Sequence, residues 1–188
     1  MRASHGDSCG CTASRRGFLG AAAALAASAA PLRLSAAPAP RRCIDVHSHV
    51  VPPSYVEVLK AGGALSAGYA GWTPDKAIET MDRLGIATSI LSIPNPTKFP
   101  IGIETNRTLA RTVNEYAARV QQDHPQRFGS FAYLPLDDVD GSLKELTYAL
   151  DVLRADGVFC WTSYGAKWFG DPAFAPVYEE LSRRKAVV

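Results

Sequence analysis

The sequence predicts an α/β fold: a (β/α)8 barrel, of which residues 43–188 form the first four βα units and the start of strand 5. Three observations carry this. Short apolar runs begin at positions 44, 86, 128, 157 and 186, in steps of 42, 42, 29 and 29 residues, with helical periodicity between them. Continuously apolar runs alternating with helices belong to a parallel sheet covered by helices. Two histidines, His47 and His49, close the first run, and a barrel carries its active site at the C-terminal ends of its strands. Finally, no G-x-G-x-x-G or P-loop follows that run, which disfavours a doubly wound nucleotide-binding sheet. A complete flavodoxin-like domain of five strands is the architectural alternative.

In the first strand Ile44 and Val46 alternate with Asp45, His47 and His49. Residues two apart share a face, so both imidazoles point one way, with Asp45 below them. Val50-Val51-Pro52-Pro53 turns the chain, and Ser54-x-x-Glu57 reads as a capping box for a short helix ending at Ala61-Gly62-Gly63. The glycine-rich loop over 62–71 is long enough to suggest function. Thr73-Pro74 opens a helix with Ile78, Met81 and Leu84 inward, and Gly85 stops it. The second strand, 86–93, ends at Pro94-Asn95-Pro96. A helix over 105–124 follows, with an inward stripe of Leu109, Val113, Tyr116 and Val120. The third strand covers 128–134. Leu143, Leu146, Leu150 and Leu153 set a third long helix, and 157–162 is the fourth strand. Asp171-Pro172 caps the last helix, with Phe174, Val177 and Leu181 inward and Arg183-Arg184-Lys185 at the end where cations suit the dipole.

The 188 residues are 47% hydrophobic and 20% charged, an ordinary composition for one globular domain. Residues 1–37 carry a balance of +3 and the remainder −1, so no basic stripe is left for nucleic acid. Arg15-Arg16-Gly17-Phe18-Leu19, the weakly apolar run 20–30 and Ser35-Ala36-Ala37 read together as a twin-arginine-type signal peptide over 1–37, with a linker over 38–42. The run is too short and too Ala-rich for a stable membrane anchor. The expectation is export to a bacterial periplasm. Cys9 and Cys11 belong to the leader, while Cys43 and Cys160, set in apolar runs, read as buried free thiols.

His47 and His49 are half of a divalent metal site, since a closed site has about four ligands. Asp45 either orients the pair or is satisfied by backbone at the strand end. Strand ends and their loops offer pocket candidates in Trp72, Ser92, Pro94, Tyr133, Trp161, Thr162 and Tyr164. His124, at a helix end before Pro125, reads as a surface cap.

Ile44-Asp45-Val46-His47-Ser48-His49 resembles the first-strand signature of the metal-dependent amidohydrolase superfamily. Further stretches are similar to its aminocarboxymuconate-semialdehyde, γ-resorcylate and methylsalicylate decarboxylases. They are Met81-Asp82-Arg83-Leu84-Gly85-Ile86, Asn114-Glu115-Tyr116, Pro125-Gln126-Arg127-Phe128-Gly129, and Gly170-Asp171-Pro172 to Pro176-Val177-Tyr178. Asp156-Gly157-Val158 and Thr162-Ser163-Tyr164-Gly165 make the salicylate-type branch the nearest. The resemblance implies a distorted barrel of the metal-dependent hydrolase type. It also implies a divalent metal, zinc first and manganese second, held by the first-strand His pair, a fifth-strand His and an eighth-strand Asp. Only His47 and His49 carry over, because the other two positions would follow Val188.

The implied activity of the full-length protein is non-oxidative decarboxylation of a small salicylate- or hydroxybenzoate-like acid, with this half alone inactive. Trp161 and Tyr164 are then the foremost candidates to stack on the substrate ring. Two rival readings stand beside it: metal-dependent hydrolysis of an amide or lactone, and a non-catalytic periplasmic binding module. A homodimer is compatible with the full-length protein. A half barrel by itself is expected to fold poorly, its first and last strands presenting unpaired edges.

Overall fold

The computed structural model describes residues 43–94 and 101–188; the expected signal peptide and linker lie outside the described residues. Four strands, β1 (Cys43–His49), β2 (Ile86–Ser92), β3 (Phe128–Tyr133) and β4 (Gly157–Phe159), pair in parallel in the order β1-β2-β3-β4. That order decides the architecture. A doubly wound sheet reverses at a switch point, whereas here each strand is laid beside its predecessor, as in the wall of a barrel.

The connections hold α1 (Pro53–Ala61), α2 (Ala67–Ala70), α3 (Pro74–Leu84), α4 (Ile103–Asp123), α5 (Val139–Thr147) and α6 (Ala175–Arg184). One core cluster gathers Tyr55, Leu59, Met81 and Leu91 with Leu109, Val113 and Val120 of α4. A second joins Leu134, Leu146 and Val158 to Phe174, Val177 and Leu181. Residues 186–188, expected to start a fifth strand, form no strand but lie beside β4: Val158 N–H donates to the Val187 carbonyl at 2.9 Å. Gly157 makes that approach possible, since a Cβ there would lie 2.6 Å from the same carbonyl oxygen.

Several local signals hold. The Thr73 side chain accepts from Lys76 N–H at 3.3 Å, and Gly85 closes α3 at φ 73°. Others do not. Helix α1 starts at Pro53 without a side-chain cap, and Ser54 Oγ is buried without a hydrogen-bond partner, so the Ser54–Glu57 capping box is not formed. Helix α5 ends at Thr147 and passes into a π-helical turn, Tyr148–Val152, rather than one long helix. Strand β4 is shorter than the apolar run 157–162. The chain leaves the sheet after Phe159 and forms a hairpin, β5 (Ser163–Tyr164) with β6 (Lys167–Trp168), turning at Gly165 with φ 59°.

Leu84, expected inward, is 64% exposed on the last turn of α3. The expectation that every strand is buried on both faces fails at β1. Ile44 and Val46 are 60% and 62% exposed, and Cys43 is exposed rather than buried. β1 lies at one edge of the sheet, paired only with β2, and nothing among the described residues covers these side chains.

Candidate metal centre

Strand β1 delivers the two imidazoles together. Their ring centroids lie 5.1 Å apart at 71° to one another. His49 Nδ1 faces the Ser92 carbonyl oxygen of β2 at 3.3 Å, with Ser92 Oγ at 3.4 Å. Ser92 is itself buried and donates from Oγ to the Ser48 carbonyl at 3.3 Å. A histidine whose Nδ1–H is given to a carbonyl keeps Nε2 as its free lone pair, the arrangement common among metal-ligating histidines. Burial holds the His49 imidazole below the ordinary histidine range, and neighbouring His47 acts in the same direction, against the pull of the Ser92 carbonyl. The neutral form thus favoured is the one a metal needs.

The register of β1 on β2 slips between Asp45 and Ser48. Such a bulge breaks strict alternation, yet Asp45 lines one cavity with His49. Asp45 Oδ1 accepts the backbone N–H of His47 at 3.0 Å. The carboxylate thereby shapes the strand segment that carries both imidazoles.

From His47 an unbroken series of edge-to-face rings runs across the C-terminal end of the sheet. His47 meets Phe159 at 5.9 Å, Phe159 meets Trp161 at 5.4 Å, and Trp161 meets Tyr133 at 5.4 Å and Tyr164 at 5.8 Å. Trp161 is half-buried within this wall. Tyr164, expected in the pocket, is a core residue, 6% exposed. Its hydroxyl accepts the Trp161 backbone N–H at 3.0 Å, so it ties down the segment that carries the wall. Tyr133 is likewise locked: its hydroxyl donates to Asn106 at 2.5 Å, and the Asn114 amide bridges its backbone at 2.8 and 2.9 Å.

Thr162 is exposed and its carbonyl anchors Phe169 N–H at 2.9 Å. Trp72 stands apart from the wall. It packs on Tyr116 at 6.4 Å and lines a cavity of about 490 Å³ with Asp45, His49 and the α3 residue Lys76. The Pro94 carbonyl accepts the Tyr55 hydroxyl at 2.8 Å. His124 caps α4, its N–H bonded to the Val120 carbonyl and its ring 5.9 Å from Phe128. Phe159 was missed by sequence reasoning, which read 157–162 as buried strand; its parity with Trp161 was the available signal. Among the described residues no group of three or more His, Cys, Asp or Glu side chains could hold a metal. His47 and His49 are the two imidazoles that β1 brings together.

No family model matches the chain. It is 42% identical over 153 residues to a decarboxylase of Aspergillus niger, covering 77% of this chain and 42% of that protein. To a 6-methylsalicylic acid decarboxylase of Penicillium expansum it is 42% identical over 154 residues, covering 77% and 47%. The chain is a homologue of the decarboxylases of the amidohydrolase superfamily. Among solved structures, an amidohydrolase II aligns with a TM-score of 0.72 at 31% identity, over 77% of this chain and 48% of that one. A dihydroxybenzoic acid decarboxylase of Polaromonas, solved with bound manganese, shares the fold with a TM-score of 0.63 at 22% identity, over 77% and 47%. This homologue of the decarboxylases thus spans about half the length of the curated relatives it matches, and its four strands are a partial barrel of their type.

The expectation of export to a bacterial periplasm is corrected by the same relatives. Those at 39–42% identity are decarboxylases of Aspergillus and Penicillium, which are fungi and not bacterial twin-arginine-exported proteins.

Proposed function

We propose that His47 and His49 supply two ligands of a divalent cation in a completed barrel, and that this site removes carbon dioxide from a small aromatic acid of the salicylate type. One observation carries the reading: paired imidazoles, one with its Nδ1 committed to Ser92, open onto the aromatic wall of Phe159 and Trp161. A cation bound there would act as a Lewis acid on the oxygens of the substrate. Imidazole ligands suit zinc, our first assignment. The manganese of the Polaromonas structure supports a divalent ion and is the second.

The described residues then have separate tasks. Ser92 fixes the tautomer and direction of His49. The Asp45 contact to His47 N–H holds the bulged strand that presents both rings. Phe159 and Trp161 offer aromatic edges and faces to a planar ring and keep water from one side of it. Tyr164 holds Trp161 in place. Hydrolysis of an amide or lactone is the second reading, favoured by the likeness to an amidohydrolase II at 31% identity.

The test is carbon dioxide release from a panel of hydroxybenzoates, assayed beside amide and lactone hydrolysis with the metal-loaded, completed protein. Release from 2-hydroxybenzoates alone is expected. Hydrolysis without carbon dioxide would replace the lyase reading and leave the metal centre standing.

A further inference from the structure

Phe159 ends β4, three strands along from β1 in the sheet, and pairs with Tyr133 of β3. Yet its ring centroid is only 5.9 Å from that of His47, because the sheet curls. We propose that Phe159 is a specificity-determining residue of the site, limiting how large a substituent the substrate ring can carry on the side facing β4. This rests on the aromatic-acid reading above and adds to it the residue that sets substrate size.

Three features support it. A planar acid gripped beside His47 must come within van der Waals reach of the ring already packed on that imidazole. Phe159 makes T-shaped contacts at 88° with both His47 and Trp161, so its ring is flanked on two sides. Trp161 has little room to yield, since the Tyr133 and Tyr164 rings pack against its indole and the Tyr164 hydroxyl accepts its backbone N–H at 3.0 Å. A rigid apolar wall of this kind discriminates by about 10–200-fold for one methylene-sized group.

The experiment compares wild type with Phe159→Leu and Phe159→Tyr in the completed, metal-loaded protein. Salicylate, 6-methylsalicylate and bulkier ring-substituted salicylates serve as substrates. Metal content is read by elemental analysis, and binding of each acid by tryptophan fluorescence. In Phe159→Leu we expect unchanged metal content, a KM for the preferred acid raised about tenfold with kcat within a few-fold, and a shift of preference toward bulkier rings. Phe159→Tyr should keep the wild-type order. An unchanged order of KM and Kd in Phe159→Leu would overturn the inference. Loss of metal along with turnover would also overturn it, by showing that the ring serves ligand geometry. If wild type binds the acids but releases no carbon dioxide, the lyase reading falls, and the size filter is decided by the order of Kd.

Discussion

The two rims of the sheet use polar residues in opposite ways. At the C-terminal rim, side chains are held in place while their reactive atoms stay available: His49 gives Nδ1 to Ser92 and keeps Nε2. At the N-terminal rim, polar atoms are bound up in the structure. Arg127 donates to Asp82 at 2.7 Å and to the Ala87 carbonyl at 3.1 Å. Asp156 accepts Ser130 N–H at 2.9 Å, and Thr88 donates to the Gln126 carbonyl at 2.8 Å. The segments 81–86 and 125–129, which carry the family resemblance, therefore meet as a clamp between α3 and the sheet. In a barrel the first rim carries chemistry and the second carries stability.

The largest effect that would break this contrast concerns turnover. His47→Ala or His49→Ala should lower it by ~100-fold or more, since even a partner behind a ligand is worth about 10–100-fold. His124→Ala, far from the strand tips, should leave it near wild type. Next is the floor of the sheet. Gly157→Ala would drive a Cβ into the Val187 carbonyl and should cost roughly 1–3 kcal/mol of stability, read from the urea midpoint, with metal content unchanged. Arg127→Ala should cost about 1 kcal/mol, because its pair with Asp82 is partly solvent-screened, and should leave turnover alone.

Smaller still is the contrast between the two thiols. At pH 8 an alkylating reagent should label exposed Cys43 and spare Cys160, whose thiol burial pushes up to about 12, as peptide mass mapping would show. The smallest effect concerns Glu180, which Arg183 and Arg184 hold at about 2, below the ordinary 4.5. Its folded-state value is depressed, so its contribution is present above pH 4.5 and lost as pH falls toward 2. Being on the surface, it should move an acid-unfolding curve only slightly.

The strands, their order and the first-strand histidines were legible because continuous apolar runs and His-x-His spacing are local signals. What escaped was not local. The bulge at Asp45 arises from the register of β1 on β2, which no single strand reveals. Tyr164 reads as a pocket residue because its aromatic character is visible in the sequence and its burial is not. Phe159 was overlooked because its nearness to His47 depends on sheet curl. The hairpin 163–168 lies beyond the run read as the fourth strand, and its two-residue strands are too short to show a period, although Gly165 marks its turn.

The central claim is that β1 presents a metal-binding pair and that the opposite rim does not take part. Metal content of the completed protein, measured by elemental analysis after exhaustive dialysis, tests this most directly. Wild type and Arg127→Ala should each retain a tightly held divalent ion in constant proportion to protein, and the His47→Ala/His49→Ala double variant should retain none. Equal metal in the double variant and wild type would contradict the account.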